Sequence, residues 1–261
     1  MNTVQPGNAF GRAKGGHTRN VTPRLLIFLS VGIGGGGLIL FGWFLSAGTP
    51  FSIVLTQSSR RRFAVDSLLC LVFFLQHSGM VRRSAKARIA RRIPANYNPA
   101  LYSIASGIAL FILVLLWQPD DQILYDIRGP ARWLLAGISA AAVAGFAWGV
   151  VALGGFDPFG TAPLRAVSRG AVPASSVFVV RGPYRYMRHP HYLFVLVLIW
   201  DQHRLSTDRL LFNVLWTAWI VIGTILEERD LRSEFGRTYR EYQDAVPMLI
   251  PIPRALRPSR R

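Results

Sequence analysis

Four long apolar segments limit the folds that are open to this chain. They are residues 25–47, 63–81, 101–118 and 131–153. Each is long enough to cross the hydrocarbon core of a bilayer as a helix, where every backbone polar group must be satisfied inside the segment. The chain is 51% hydrophobic and only 16% charged, which is too apolar for an ordinary soluble domain. The sequence therefore predicts an all-α, polytopic bundle of transmembrane helices.

Two further apolar segments, 192–200 and 210–226, flank a short polar link. The first is too short to span a bilayer as a straight helix. It either continues through Asp201 and His203 or forms a partly inserted hairpin with the second segment. The bundle is therefore expected to have about five to six spans.

Small residues in two of the long segments predict closely packed helices. Residues 34–37 are four consecutive glycines, and residues 140–145 contain four alanines and a glycine. Polar residues at membrane depth normally face the bundle interior. For Asp66 we expect a structural hydrogen bond between helices, and for Cys70 a buried position in the core.

After Glu227 the chain turns amphipathic, with apolar residues at helical spacing. They are Leu231, Phe235, Tyr239, Tyr242 and Val246. This pattern predicts a helix on the protein or at the membrane face that ends at Pro247. The chain then divides into a disordered basic tail (1–23), an integral membrane domain (24–250) and a second basic tail (251–261).

The distribution of charge predicts how the bundle is oriented. The net charge is +17, and all but two of the 30 Lys and Arg residues are arginine. Because they lie between apolar runs and in the tails, they indicate membrane topology, so no nucleic-acid partner is expected. Residues 82–99 carry six basic residues and no acid, whereas 119–130 carry three aspartates. The positive-inside rule then places both termini in the cytoplasm, with Arg60, Arg61 and Arg62 as an exception on the outer side.

The stretch RGPYRYMRHPHY, residues 181–192, packs three arginines, three tyrosines, two histidines and two prolines between apolar segments. Its prolines predict a loop that opens a helix near Pro190. Arginines and the first-turn N–H groups suit an anionic ligand. An alternative interpretation is a basic anchor at the membrane surface with tyrosines at the interface.

Three other features on the predicted cytoplasmic side are candidates for chemistry. Glu227 and Glu228 end the last apolar run, and two carboxylates at the C-terminal end of a helix oppose its dipole, which suggests a cationic partner. An ordinary helix-end charge pair is the alternative. His77 lies at the end of the second span, and FGRTYREY occupies residues 235–242. No metal site is predicted, because no helix carries histidine and carboxylate at ligand spacing.

Together these motifs resemble a known enzyme family. RHPHY at 188–192, EERDL at 227–231, FGRTYREY at 235–242 and VPMLIP at 246–251 resemble the C-terminal half of the isoprenylcysteine carboxyl methyltransferase superfamily. These are integral membrane enzymes that use S-adenosylmethionine. LQHSGMVRR at 75–83, WQP at 117–119 and FDPFG at 156–160 are similar to the bacterial methanethiol S-methyltransferase branch. The resemblance implies a bacterial inner-membrane enzyme with the cofactor half at about 154–250, and the positive-inside rule places its active site on the cytoplasmic side.

The resemblance also implies which residues surround S-adenosylmethionine. The implied cofactor-binding residues are Ser176, Val177, Phe178, Val179, Tyr184, His189, Pro190, His191, Tyr192, Glu227 and Glu228. Glu227 would hold the α-amine, a tyrosine would cover the adenine, and Arg185 or Arg188 would answer the carboxylate. A thiol acceptor must lose its proton, and either His77 as a base or the positive field of Arg188 would assist.

The acceptor implied by the resemblance is a small thiol such as methanethiol. Prenyl-protein enzymes of the superfamily have a substrate-binding arginine shortly before the two glutamates, and residues 223–226 carry no charge here. Two alternatives stay open, a methyltransferase acting on an isoprenylated cysteine or a lipid, and a non-catalytic membrane protein or transporter. Membrane lipids are expected partners in each case.

Overall fold

A computed structural model describes residues 23–51, 53–171 and 178–251, except for the side chain of Arg83. Apart from Pro23 and Pro251, the two predicted tails lie outside the described residues. The nine α-helices of the described part are α1 (Pro23–Leu29), α2 (Gly35–Ala47), α3 (Ser59–Val81), α4 (Arg83–Ala90), α5 (Asn98–Leu116), α6 (Pro130–Leu153), α7 (Ala162–Ser168), α8 (Pro190–Trp200) and α9 (Thr207–Ala245). A π-helical turn, Ser30–Gly34, joins α1 to α2, and 3₁₀ turns occupy Ala95–Tyr97 and Gly182–Arg185.

Five of the described helical segments are long and apolar enough to cross a membrane. They are Pro23–Ala47, Ser59–Val81, Ala95–Leu116, Pro130–Leu153 and Thr207–Ala245. The predicted all-α polytopic bundle is confirmed. The second span begins four residues earlier than predicted, so Arg60, Arg61 and Arg62 lie in the first turn of α3. Arg62 donates from Nη1 to the carbonyl of Pro119 (2.9 Å), which holds its charge at the end of the bundle.

Glycines bring α2 and α5 into backbone contact. A Cβ atom added to Gly37 would lie 2.9 Å from Cα of Gly107, and one added to Gly107 would lie 2.5 Å from the carbonyl oxygen of Ile33. Between α6 and α8 the close contact is with a side chain, since a Cβ on Gly145 would lie 2.4 Å from the ring of Phe194. The predicted close packing at residues 34–37 is therefore present, whereas in the 140–145 segment Gly145 makes the close contact and Ala140, Ala141 and Ala144 are exposed.

The segment containing α8 crosses the bundle although its helix is short. Its 11 residues rise about 16 Å, roughly half the thickness of the hydrocarbon core. The helix ends at Trp200, so it does not continue through Asp201 and His203. The chain instead continues into a short strand, β2 (Arg204–Ser206), which pairs antiparallel with β1 (Ile123–Asp126) at the far end of the bundle. The hydrogen bonds of this ladder pair backbone N–H and C=O groups of the link, so the link needs no helix to satisfy them.

Aromatic residues and a few buried polar groups form the core between α2, α3, α5 and α9. Phe44, Trp117 and Phe212 are fully buried, as is the predicted core residue Cys70. Oδ1 of buried Asp66 accepts a hydrogen bond from the backbone N–H of Gln118 (2.9 Å). This contact joins α3 to the end of α5, as predicted for a structural carboxylate.

Helix α9 contains both the last apolar span and the predicted amphipathic helix. Its backbone breaks at Gly236, where φ is +57°, a conformation that favours glycine. The helix ends at Ala245, two residues before Pro247. Tyr239, on the amphipathic part, is almost fully buried, so this part lies on the protein.

Candidate active site

The polar stretch 181–192 folds into a 3₁₀ turn followed by the start of α8. Pro190 occupies the first turn of the helix, as predicted, where its missing N–H leaves no bond unmade. The backbone N–H groups of Arg188 and His189 donate to the carbonyls of Pro247 (2.9 Å) and Met248 (3.0 Å). The stretch is thereby fastened to the chain that follows α9, which brings it beside the two glutamates.

Glu228 is surrounded by protein donors. Arg188 donates to both of its carboxylate oxygens, from Nε (2.8 Å) and Nη2 (2.9 Å). His189 Nε2 lies 2.7 Å from Oε1, and the hydroxyl of Tyr239 donates to the same oxygen at 2.8 Å. Gln243 donates to Oε2. The side chain is only 6% exposed, so Glu228 and Arg188 form a buried, bidentate ion pair that joins the 181–192 stretch to α9.

Glu227 has the opposite surroundings, although it is the next residue. Its side chain is 43% exposed, and Oε2 accepts a hydrogen bond from the hydroxyl of Tyr192 at 2.5 Å. His189 Nδ1 lies 3.8 Å from the same oxygen. Since these contacts leave Oε1 without a hydrogen-bond donor among the described residues, Glu227 is able to bind a cation from outside the protein.

A cavity of about 280 Å³ lies beside Glu227, between α3, α5, α8 and α9. It brings together three predicted site residues from three helices, His77, Tyr192 and Glu227. The hydroxyl of Tyr102, from α5, lies 2.7 Å from Nε2 of His77. Trp219, which precedes Glu227 on α9, also lines the cavity. Its Nε1 donates to the hydroxyl of Ser78 (2.9 Å). The arrangement combines a carboxylate, an imidazole and aromatic faces in one small space.

The remaining predicted residues lie around this centre. Phe178 packs its ring against Phe235 and Tyr239, and Val179 follows it in the chain. Ser176 and Val177 lie outside the described residues.

Tyr184 and His191 contact each other behind the cavity. The hydroxyl of Tyr184 lies 3.0 Å from Nδ1 of His191. Burial, and then the negative charge of Glu227, raise the pKa of Tyr184 to about 12, so its hydroxyl stays protonated at neutral pH. His191 turns toward α6, where its ring lies 4.6 Å from that of Phe146.

Sequence reasoning missed most of the other residues that line the cavity, among them Tyr102, Arg82 and Asp230. Arg82 Nη1 and Asp230 Oδ2 form an ion pair of 2.9 Å across the mouth of the cavity. In the sequence, Arg82 is one of six basic residues of a topogenic loop, and nothing distinguishes it from its neighbours. Tyr102 carries a weak signal, because it is a polar aromatic residue near the same end of its span as His77.

Comparison with known proteins shows relatives along most of the chain. It is 33% identical over 222 residues to the methanethiol S-methyltransferase of Pseudomonas sp. (strain GM41(2012)), covering 82% of this chain and 84% of that protein. It is also 33% identical over 192 residues to the methanethiol S-methyltransferase of Pseudomonas deceptionensis, covering 72% of each chain. Nurim from Rattus norvegicus is a more distant relative, 25% identical over 189 residues. No protein-family model matches the chain, and no solved structure matches it significantly. With five apolar helices and these relatives, the chain is an integral membrane methyltransferase and belongs to the methanethiol S-methyltransferase family.

Proposed function

We propose that this protein transfers a methyl group from S-adenosylmethionine to a small thiol, with methanethiol as the acceptor and dimethyl sulfide as the product. The observation that carries the proposal is the convergence of Glu227, Tyr192 and His77 on one cavity of about 280 Å³. The names of the similar proteins point to the same acceptor.

The groups around the cavity fit the chemistry of S-adenosylmethionine. The open oxygen of Glu227 suits the α-amine, and Arg82 at the mouth offers a cation to the carboxylate. Tyr192 presents an aromatic face, which suits the adenine or the sulfonium. In this proposal Glu228 and Arg188 position the site and do not touch the ligand, because Nε, Nη1 and Nη2 of Arg188 all donate to protein oxygens. Arg82 differs, since only its Nη1 pairs with Asp230, and its contacts to the described residues leave its other guanidinium N–H groups for the ligand. The role of Arg188 as a field that acidifies the thiol is accordingly not part of the proposal.

When bound, S-adenosylmethionine supplies an electrophilic methyl group on a sulfonium sulfur. The work of the chain is then to align the acceptor sulfur with that methyl group and to exclude water. The acceptor sulfur must be a thiolate, and His77 is the basic side chain of the cavity that can accept the thiol proton. Tyr102 orients the His77 ring through its hydroxyl.

The aromatic packing beside the cavity favours a small acceptor over a prenylated or lipid one. Trp219 and Ile220 line the cavity, and Trp219 also stacks on the ring of Phe74 (4.7 Å between centroids). Aromatic packing of this kind leaves little room for a long chain behind the reacting sulfur.

We further place the cavity on the cytoplasmic side of a bacterial inner membrane. The basic residues of the loop between α3 and α5, including Arg88, Arg91 and Arg92, lie at the cavity end of the bundle. A cytoplasmic cavity would have direct access to the cofactor.

The first test is binding of S-adenosylmethionine to the purified protein in detergent, measured by isothermal titration calorimetry. Wild type should bind it, and Glu227→Gln should weaken binding at least about tenfold, because a cation loses its counter-charge. Glu241→Gln is the matched control, since that glutamate is exposed and pairs with Arg237 on the surface. If a well-folded wild type does not bind the cofactor, or binds it equally after Glu227→Gln, the proposal fails.

A further inference from the structure

A second cavity lies at the end of the bundle opposite Glu227. Its volume is about 990 Å³, at the upper end of the range for ligand pockets. It opens between α2 and α6, which are not packing partners, since α2 packs on α5 and α6 packs on α8. Buried Phe44, Trp117 and Arg209 form part of its lining. The bundle is therefore incompletely closed in this half of the membrane.

The lining of this cavity changes from polar to apolar along α6. Polar residues near the end of the bundle include Asp120, Asp121, Arg132, His203 and Arg204, and apolar residues include Gly42, Leu135, Val143 and Leu198. Ser139 is a polar residue farther along α6, between Leu135 and Val143, and it is paired with Asp201, which also lines the cavity. Along α6, Arg132 and Val143 are about 16 Å apart at the rise of an α-helix. That length is close to half of a hydrocarbon core about 30 Å thick, which is one leaflet.

Two buried polar atoms in the lining have no partner among the described residues, and they are of opposite kinds. Oδ1 of Asp201 is an acceptor without a donor, while its Oδ2 accepts from the hydroxyl of Ser139 (2.7 Å). Nη1 of Arg209 is a donor without an acceptor, while Nη2 donates to the carbonyl of Phe44. Arg209 is only 7% exposed. Buried polar atoms are nearly always paired, so both indicate a ligand that carries a donor and an acceptor.

We propose that this cavity binds a phospholipid with a zwitterionic phosphoethanolamine headgroup. An acyl chain lies between α2 and α6 against the apolar lining. Arg132 and Arg209 bind phosphate and ester oxygens, while Asp121 and Asp201 accept hydrogen bonds from the ammonium group. The carboxylates of the lining disfavour a lipid whose headgroup carries net negative charge.

The test is retention of lipid by the purified full-length protein, measured by native mass spectrometry with equimolar phosphatidylethanolamine and phosphatidylglycerol. Gly42→Phe should fill the cavity, because an added Cβ at Gly42 meets no atom within 4 Å. Gly137→Phe is the matched control. It also lies on an apolar helix with open space around its Cβ, but it does not line the cavity. A second pair is Arg132→Ala, in the lining, and Arg128→Ala, which is exposed and pairs with Asp126.

The expected result is a retained phosphatidylethanolamine on wild type and on both controls, and at least a fivefold loss on Gly42→Phe and on Arg132→Ala. Equal retention by wild type and Gly42→Phe would overturn the proposal, and so would a preference for phosphatidylglycerol. If Gly42→Phe is misfolded by size-exclusion chromatography, the Arg132→Ala and Arg128→Ala pair decides the question alone.

Discussion

At the scale of single residues, the two adjacent glutamates of α9 differ in their surroundings: Glu228 is bound by protein groups, and Glu227 faces the cavity. Glu228 is 6% exposed and has four protein donors, whereas Glu227 is 43% exposed and has Tyr192 as its hydrogen-bond donor. Neighbouring positions on a helix point about 100° apart, so Glu228 faces Arg188 and His189 whereas Glu227 faces Tyr192 and the cavity. The identical side chains therefore have different effects when they are replaced.

Replacing Glu228 should make the protein less stable without removing a direct contact with the ligand. Glu228→Gln leaves Arg188 as a buried cation without a counter-charge, which we expect to lower the free energy of unfolding by about 3–5 kcal/mol. Thermal unfolding in detergent measures the change as a drop in Tm. The control Glu241→Gln removes an exposed surface pair and should change Tm little. Equal Tm values for the two variants would refute the structural role.

Replacing His77 should reduce turnover more than cofactor affinity. A base that removes the thiol proton contributes about 10²-fold or more to the rate, and glutamine cannot take its place. The measurement compares kcat and the dissociation constant of S-adenosylmethionine for His77→Gln. His203→Gln is the control, because His203 lies in the second cavity at the other end of the bundle. Unchanged kcat in His77→Gln would remove His77 from the mechanism.

A site residue could be predicted from the sequence only where its own type and position were unusual. Glu227 and Tyr192 stood out because charge and polarity at the end of an apolar run are unfavourable without a partner. Which glutamate would stay open could not be predicted, since it depends on the rotation of α9 against the 181–192 stretch. Arg82 was hidden among topogenic arginines, and its ion pair with Asp230 joins residues 148 positions apart.

At the scale of elements, close approach between helices depends on single glycines. The Gly107→Ala substitution adds a methyl group within 2.5 Å of the Ile33 carbonyl, so α5 and the π-helical turn before α2 must separate. We expect a loss of about 1–3 kcal/mol in the free energy of unfolding. Gly137→Ala, where nothing lies within 4 Å, should be neutral or slightly stabilising because alanine favours the helix. Denaturant titration of both variants gives the comparison, and an equal effect would contradict the packing.

The short helix α8 shows what periodicity could not reveal. An 11-residue apolar helix is ambiguous by length alone, and both interpretations of it from the sequence missed the two-stranded ladder beyond it. That ladder pairs β2 with β1, a segment about 80 residues earlier, and no local pattern predicts such a non-local contact.

At the scale of the whole molecule, the segment that contains α8 brings the number of crossings of the bundle, among the described residues, to six. The four long segments before it were predicted within a few residues, because apolar runs of this length have few alternatives. Six crossings bring both ends of the membrane domain to the same side, the side of Glu227. The side itself follows from the arginine distribution and is still a prediction.

That prediction is tested with single cysteines in a Cys70→Ala background. Arg128→Cys and Glu241→Cys both place an exposed thiol, at opposite ends of the bundle. In intact cells a membrane-impermeant maleimide should label Arg128→Cys, and it should label Glu241→Cys only after lysis. The reverse pattern would invert the orientation and place the cavity outside the cytoplasm.

The most direct measurement of the central claim is transfer of an isotopically labelled methyl group. Purified protein in detergent is given S-adenosylmethionine labelled with ¹³C in its methyl group together with methanethiol, and the headspace is analysed by gas chromatography and mass spectrometry. The proposed function predicts labelled dimethyl sulfide from wild type, and about 10²-fold less from His77→Gln. A well-folded wild type that binds the cofactor but forms no labelled dimethyl sulfide would contradict it.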